Sequence, residues 1–164
     1  MKVTHATLAD LPYIEHLSRL EGETIGFVPK SRYEIEVTNG GSILVGWEND
    51  DPIGFLYATH NQSGVTRIQQ VAIQEDARRM ERATALVQAA QRENDWLISA
   101  RCASNLEATE FWRTLGFENR GIVPPRTTAW NRKHKDGLPS RRKRTILSFQ
   151  KVIGGLWLPI KAIT

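Results

Sequence analysis

The stretch that decides the fold is Asn105-Leu106-Glu107-Ala108-Thr109-Glu110-Phe111-Trp112-Arg113-Thr114-Leu115-Gly116-Phe117. Leu106 to Leu115 reads as a helix, Gly116 ends it as a C-cap, and Phe117 to Val123 follows as a strand. Upstream lies a second telling stretch, Val71-Ala72-Ile73-Gln74-Glu75-Asp76-Ala77-Arg78-Arg79-Met80-Glu81-Arg82-Ala83. It begins at the end of a strand, Thr66 to Ile73. It runs into a helix predicted over Arg79 to Asn94, with Leu86, Val87 and Ala90 on one face. Between the two stretches, Trp96 to Arg101 is short and β-like.

Working back to the N-terminus, Lys2 to Ala6 alternates as a first strand. Asp10 is placed to cap a helix carrying Leu11, Ile14, Leu17 and Leu20 at helical spacing, which Gly22 and Gly26 break. Pro29 and Ser31 open a second helix, Arg32 to Val37. Ser42 to Glu48 and Ile53 to His60 read as a hairpin around Asn49-Asp50-Asp51-Pro52. Thr145 to Val152 is the last strand. The order β α α β β β α β α β β predicts an α/β fold, a mixed sheet covered by helices.

The 164 residues fit one domain, here 1–153 with an apolar tail over 154–164, and 40% apolar with 24% charged residues describes a globular chain. No apolar run is long enough to span a membrane, and Met1 to Pro12 has no secretion core. A single cysteine, Cys102, excludes an internal disulfide and points to a reducing, cytoplasmic setting, with its thiol read as part of the core. Four scattered histidines offer no metal-ligand spacing. Charge is unevenly spread. Residues 1–118 hold 11 Lys/Arg against 17 Asp/Glu, whereas 119–164 hold the other 11 against Asp136 alone. An acidic body with a basic C-terminal third points to a polyanionic partner or an acidic substrate, or else to a solvated basic loop.

The two quoted stretches, with the element order, resemble the GNAT superfamily, the Gcn5-related N-acetyltransferases, in a bacterial or phage form. Asn105, Ala108, the Phe111-Trp112 pair and Leu115-Gly116-Phe117 carry most of the likeness, and Gly26-Phe27-Val28-Pro29 adds to it. The resemblance covers about residues 3–123 and the strand near 145–152. It implies a single-domain fold with a mixed central sheet of six to seven strands flanked by helices. It also implies acetyl-CoA as cofactor and acetyl transfer to an acceptor amine by direct attack. The backbone of Val71, Ala72 and Ile73 would hold the pantetheine arm. The helix start, Arg78, Arg79, Glu81, Arg82, Ala83 and Thr84, would hold the pyrophosphate, where a helix N-terminus favours an anion. Arg78 and Ala83 match the family pattern, but Glu81 replaces a glycine and brings a carboxylate toward phosphate. Asn105 would contact the cofactor arm or an ordered water. Trp112 stands where many members have a tyrosine that protonates the departing thiolate. An indole N–H is too weak an acid for that, which leaves Trp112 as a wall of the cofactor channel.

The general base is open. Gln69 and Gln70 cannot take a proton. His60, Glu21 and Glu23 are candidates, each with the competing reading of a surface residue. Attack by an amine already deprotonated needs none of them. The basic segment at about 124–144 is, against the family, an insertion before the last strand. Its Trp130, Arg132, Lys133, Lys135, Arg141, Arg142, Lys143 and Arg144 mix cations with a ring, as nucleic-acid surfaces do. DNA or RNA is therefore the second expected partner, in a fold that has lost ordinary acetyl transfer. Clamping the cofactor's 3′-phosphate is the competing role. A monomer and a homodimer are both compatible with the sequence.

Overall fold

In the computed structural model described here, residues 1–78, 80–103, 106–123 and 146–153 are described. The first three strands, β1 (Lys2–His5), β2 (Ser42–Glu48) and β3 (Asp51–His60), form an antiparallel meander with β4 (Val65–Ile73), and the continuous apolar runs of β2 and β3 are buried on both faces. The β2–β3 hairpin is tighter than its sequence suggests. Asn49 and Asp50 both adopt positive φ (49° and 67°), giving a two-residue turn of the primed kind, so β3 starts at Asp51 and Pro52 pairs with Trp47.

Helices α1 (Leu11–Leu20), α2 (Gly22–Ile25) and α3 (Lys30–Thr38) follow β1. Asp10 does not cap α1. Its carboxylate turns back to accept from the Thr7 N–H (2.7 Å) and hydroxyl (2.8 Å), closing a 3-10 turn over Leu8–Asp10. After β4 come α4 (Met80–Ala89), β5 (Leu97–Ala103), α5 (Leu106–Thr114), β6 (Glu118–Val123) and β7 (Ile146–Val152). Helix α4 stops five residues short of the expected Asn94. There the Asp95 carboxylate accepts from the Arg92 N–H (2.9 Å) and favours a turn over continued helix. Gly116, at φ 79°, ends α5 as expected.

The seven strands form one open mixed sheet in the order β1-β2-β3-β4-β5-β7-β6. One face is covered by α1 and α3 over Ile14, Tyr33, Ile43, Val45, Phe55 and Tyr57. The other is covered by α4 and α5 over Leu56, Ile68, Leu86, Ile98, Trp112 and Phe149. Among the described residues no helix is long and apolar enough to cross a membrane. The tail 154–164 lies outside the described residues.

Candidate active site

The site begins with an irregularity in β4. Tyr57 pairs with Gln70, but Ala58 pairs with Ile68, so β4 carries one extra residue at Gln69. Such a bulge bends and twists its strand. Both glutamines consequently face α1 and α3. Gln69 Nε2 donates to Thr59 Oγ1 (2.9 Å) and Gln70 Nε2 to the Gly26 carbonyl (2.9 Å). The bulge coincides with a divergence. β4 and β5 run parallel and pair from Val65↔Leu97 to Ile68↔Ala100. Beyond that level β4 stays with β3, while β5 stays with β7 through Ala103↔Ile146. A wedge opens between them.

Backbone polarity in the wedge follows from alternation. The Gln74 N–H donates to the Ile53 carbonyl on β3 (2.9 Å). Val71 and Ile73, at odd spacing from Gln74, therefore turn N–H and C=O toward the wedge, and Ala72 turns its own toward β3. Among the described residues no strand satisfies that free edge. An extended chain bearing amides can complete it as an added strand does. At the end of the wedge, the turn Glu75–Ala77 and Arg78 lead into the positive N-terminus of α4.

Arg78 and Glu21 meet across this opening. The Arg78 guanidinium pairs with Glu21 Oε1 at 2.5 Å and donates through Nε to the Ile73 carbonyl at 3.3 Å. Glu21 leads into α2, which packs on both β4 and β5 and so sits over the wedge. Glu23 is exposed in the first turn of α2. A buried hydrogen-bond chain fixes the loop after α2. The Tyr33 hydroxyl bonds Ser18 Oγ (2.9 Å) and Gln70 Oε1 (2.5 Å), and Gln70 holds Gly26. Burial pushes the Tyr33 phenol up, so it stays protonated and neutral. The sequence reading missed this chain, because its bonded partners are 15 to 44 residues apart.

The other predicted site residues divide. Glu81 is exposed on the first turn of α4, where its carboxylate can swing clear of an anion. Ala83 packs partly against the core and Thr84 is half-buried on the same helix. Arg82 turns away from the wedge. Its guanidinium pairs with the Glu48 carboxylate on β2 and donates to the Ala77 carbonyl (2.6 Å). Arg79 and Asn105 lie outside the described residues, as do Trp130, Arg132, Lys133, Lys135, Arg141, Arg142, Lys143 and Arg144.

Two expectations need correction. His60 ends β3 opposite Thr66, at the far end of the sheet from Ile73, too remote to serve as a base at the wedge. It belongs to a buried cluster in which Nδ1 lies 2.6 Å from Thr66 Oγ1, and Thr66 donates to Asp95. Burial, reinforced by Arg92 and opposed by Asp95, lowers its pKa. Trp112 does not line an open channel. It is 4% exposed, set edge-on between Phe111 and Phe117 with centroids 4.9 Å from each. Burial pushes the Cys102 thiol up to about 11, outweighing the lowering effect of the neighbouring Trp112. A protonated, half-buried thiol is no nucleophile at neutral pH.

A family model described as Acetyltransferase (GNAT) family matches residues 9–117. The chain belongs to the GNAT acetyltransferase family. No curated protein sequence matches it significantly. Solved GNAT structures share its fold at low identity. The ribosomal-protein-alanine N-acetyltransferase from Brucella melitensis is 18% identical, with a TM-score of 0.69 over 93% of this chain and 100% of its own. Ard1 from Thermoplasma volcanium is 14% identical, with a TM-score of 0.73 over 94% of this chain and 98% of its own. YncA from Salmonella typhimurium, solved with its cofactor acetyl-CoA, is 16% identical, with a TM-score of 0.68 over 99% of each chain.

Proposed function

We propose that this GNAT chain transfers an acetyl group from acetyl-CoA to an acceptor amine by direct attack. The observation that carries the reading is the free β4 edge at Val71 and Ile73, in line with the N-terminus of α4. Acetyl-CoA supplies an activated thioester, whose C–S bond breaks as the new C–N bond forms. Val71 and Ile73 offer N–H groups that bind the pantetheine amides and stabilise negative charge growing on the carbonyl oxygen. Arg78 and the α4 N-terminus take the pyrophosphate. The amine proton leaves to water or to a carboxylate of the α2 region. Glu21 and Glu23 are the candidates, with Glu21 held by Arg78 until the phosphates arrive.

Calorimetric titration with acetyl-CoA tests this. Micromolar binding is expected, tightened several-fold at low salt by Glu81→Gln, which removes a carboxylate near the phosphates without opening the helix. Absence of binding up to millimolar concentration would overturn the reading.

A nucleic-acid-linked acceptor is the second reading. It is favoured by the register Val123↔Ile146↔Ala103, which puts the described residues on either side of the basic segment, Val123 and Ile146, at the splayed end of the sheet. Retardation of DNA or RNA at low salt, lost on deleting Arg141 to Arg144, is its expected result. Retardation that survives the deletion would remove the segment from the account.

A further inference from the structure

We infer that the acceptor carries an anionic group, a carboxylate or a phosphate, held by Arg67 and Arg101. This rests on the acetyltransferase reading and adds the substrate class. Strand register puts the two arginines on one face. Arg67 pairs with Ser99, and Arg101 follows Ser99 by two residues on β5. Ile98 and Ala100 point into the core beneath α4 and α5, so Ser99 and Arg101 project from the opposite face, on which α2 sits. Arg101 stands level with the bulge at Gln69, one residue past the last β4–β5 pair. That level is two residues from Val71, roughly 7 Å along the strand, and Arg67 is roughly 13 Å from Val71. Both guanidiniums border the place where an amine must approach the thioester.

Both arginines are exposed, and neither has a carboxylate partner among the described residues. The nearest acid in register on this face is Glu118, two strands beyond Ser99, and it is paired with Arg120 at 2.9 Å. The independent sign of a missing ligand is Ser99. It is 9% exposed, and its hydroxyl is buried without a hydrogen-bond partner among the described residues. A buried hydroxyl is normally paired. Flanked by two unpaired cations, it is suited to donate to an oxyanion that the arginines hold by charge-assisted bonds. A neutral amine would leave the Ser99 hydroxyl without an acceptor and the two arginines without an ion partner, so an anionic acceptor is selected by what its rivals cannot pair.

The test is equilibrium binding of three matched amines, phosphoethanolamine, β-alanine and ethanolamine, to the full chain with and without saturating CoA. The two anionic amines are expected to bind at least tenfold more tightly than ethanolamine, and their ranking separates phosphate from carboxylate. R67Q/R101Q should erase the preference while leaving acetyl-CoA affinity unchanged, and R67K/R101K should keep part of it. Equal affinities for the three amines, or a preference that survives R67Q/R101Q, would overturn the inference. Failure of acetyl-CoA to bind in the parallel titration would sink the acetyltransferase reading instead, and the anion preference is read independently of it.

Discussion

Glu21→Gln should tighten cofactor binding. In the structure the Arg78 guanidinium is 2.5 Å from Glu21 Oε1, with the arginine side chain 43% exposed and the glutamate 20%. If Arg78 takes the pyrophosphate, the cofactor must first draw it from this carboxylate. A bare Coulomb estimate for such a contact runs to several kcal/mol at an intermediate dielectric. Exposure of the arginine and screening by salt reduce that to about 1 kcal/mol. Removing the competing charge should therefore improve CoA affinity about fivefold. The assay is calorimetric titration of wild type, Glu21→Gln, Arg78→Gln and the double variant with CoA at low and at physiological ionic strength. Arg78→Gln should weaken binding, and the gain from Glu21→Gln should vanish in its background and shrink as salt is raised. Unchanged or weaker binding in Glu21→Gln would refute the competition. It would mean that the pair orients Arg78 toward the phosphates rather than withholding it.

Tyr33→Phe removes the hydroxyl that joins Ser18 to Gln70 and leaves buried polar atoms unpaired, so urea denaturation should show a loss of about 1–3 kcal/mol. Trp112→Ala should cost about 3–5 kcal/mol of stability, because its ring fills the core between Phe111 and Phe117. A loss under 1 kcal/mol would return Trp112 to the cofactor channel. His60 is held neutral, with its pKa below the unfolded value of 6.5, so protonation favours the unfolded chain. Stability should be complete above pH 6.5 and fall as the pH drops through 6.5 toward the lowered folded value. His60→Gln should flatten that slope between pH 7 and 5 in thermal melts, and an unchanged slope would contradict the assignment.

Much of the architecture around the wedge was legible in the sequence because it is local. The strand-to-helix junction at Ile73 to Met80 and the helix, glycine and aromatic spacing of Ala108 to Phe117 are set by contacts within one or two turns of chain. Periodicity and capping report such contacts directly. The element order was therefore readable apart from α2, which forms over Gly22–Ile25 where the two glycines read as a break, and α4 was overdrawn where Asp95 captures a neighbouring N–H.

The contacts that cross from one strand or helix to another were not legible. His60 looked suitable by residue type, but strand direction carries it to the far end of the sheet. Arg67, Ser99 and Arg101 carry no spacing signal, since register between two strands about thirty residues apart makes them neighbours. Glu21 and Arg78 meet across 57 residues. Trp112 stood at the position of a family phenol, yet packing between two phenylalanines makes it core. What the sequence determined by itself is the succession of strands, helices and turns, because hydrophobic period and turn chemistry act over a few residues. Only the tertiary structure decided which charges pair, which face is open and which side chains reach the wedge. Those depend on one bulge at Gln69 and on the register of strands that meet only when the whole sheet has formed.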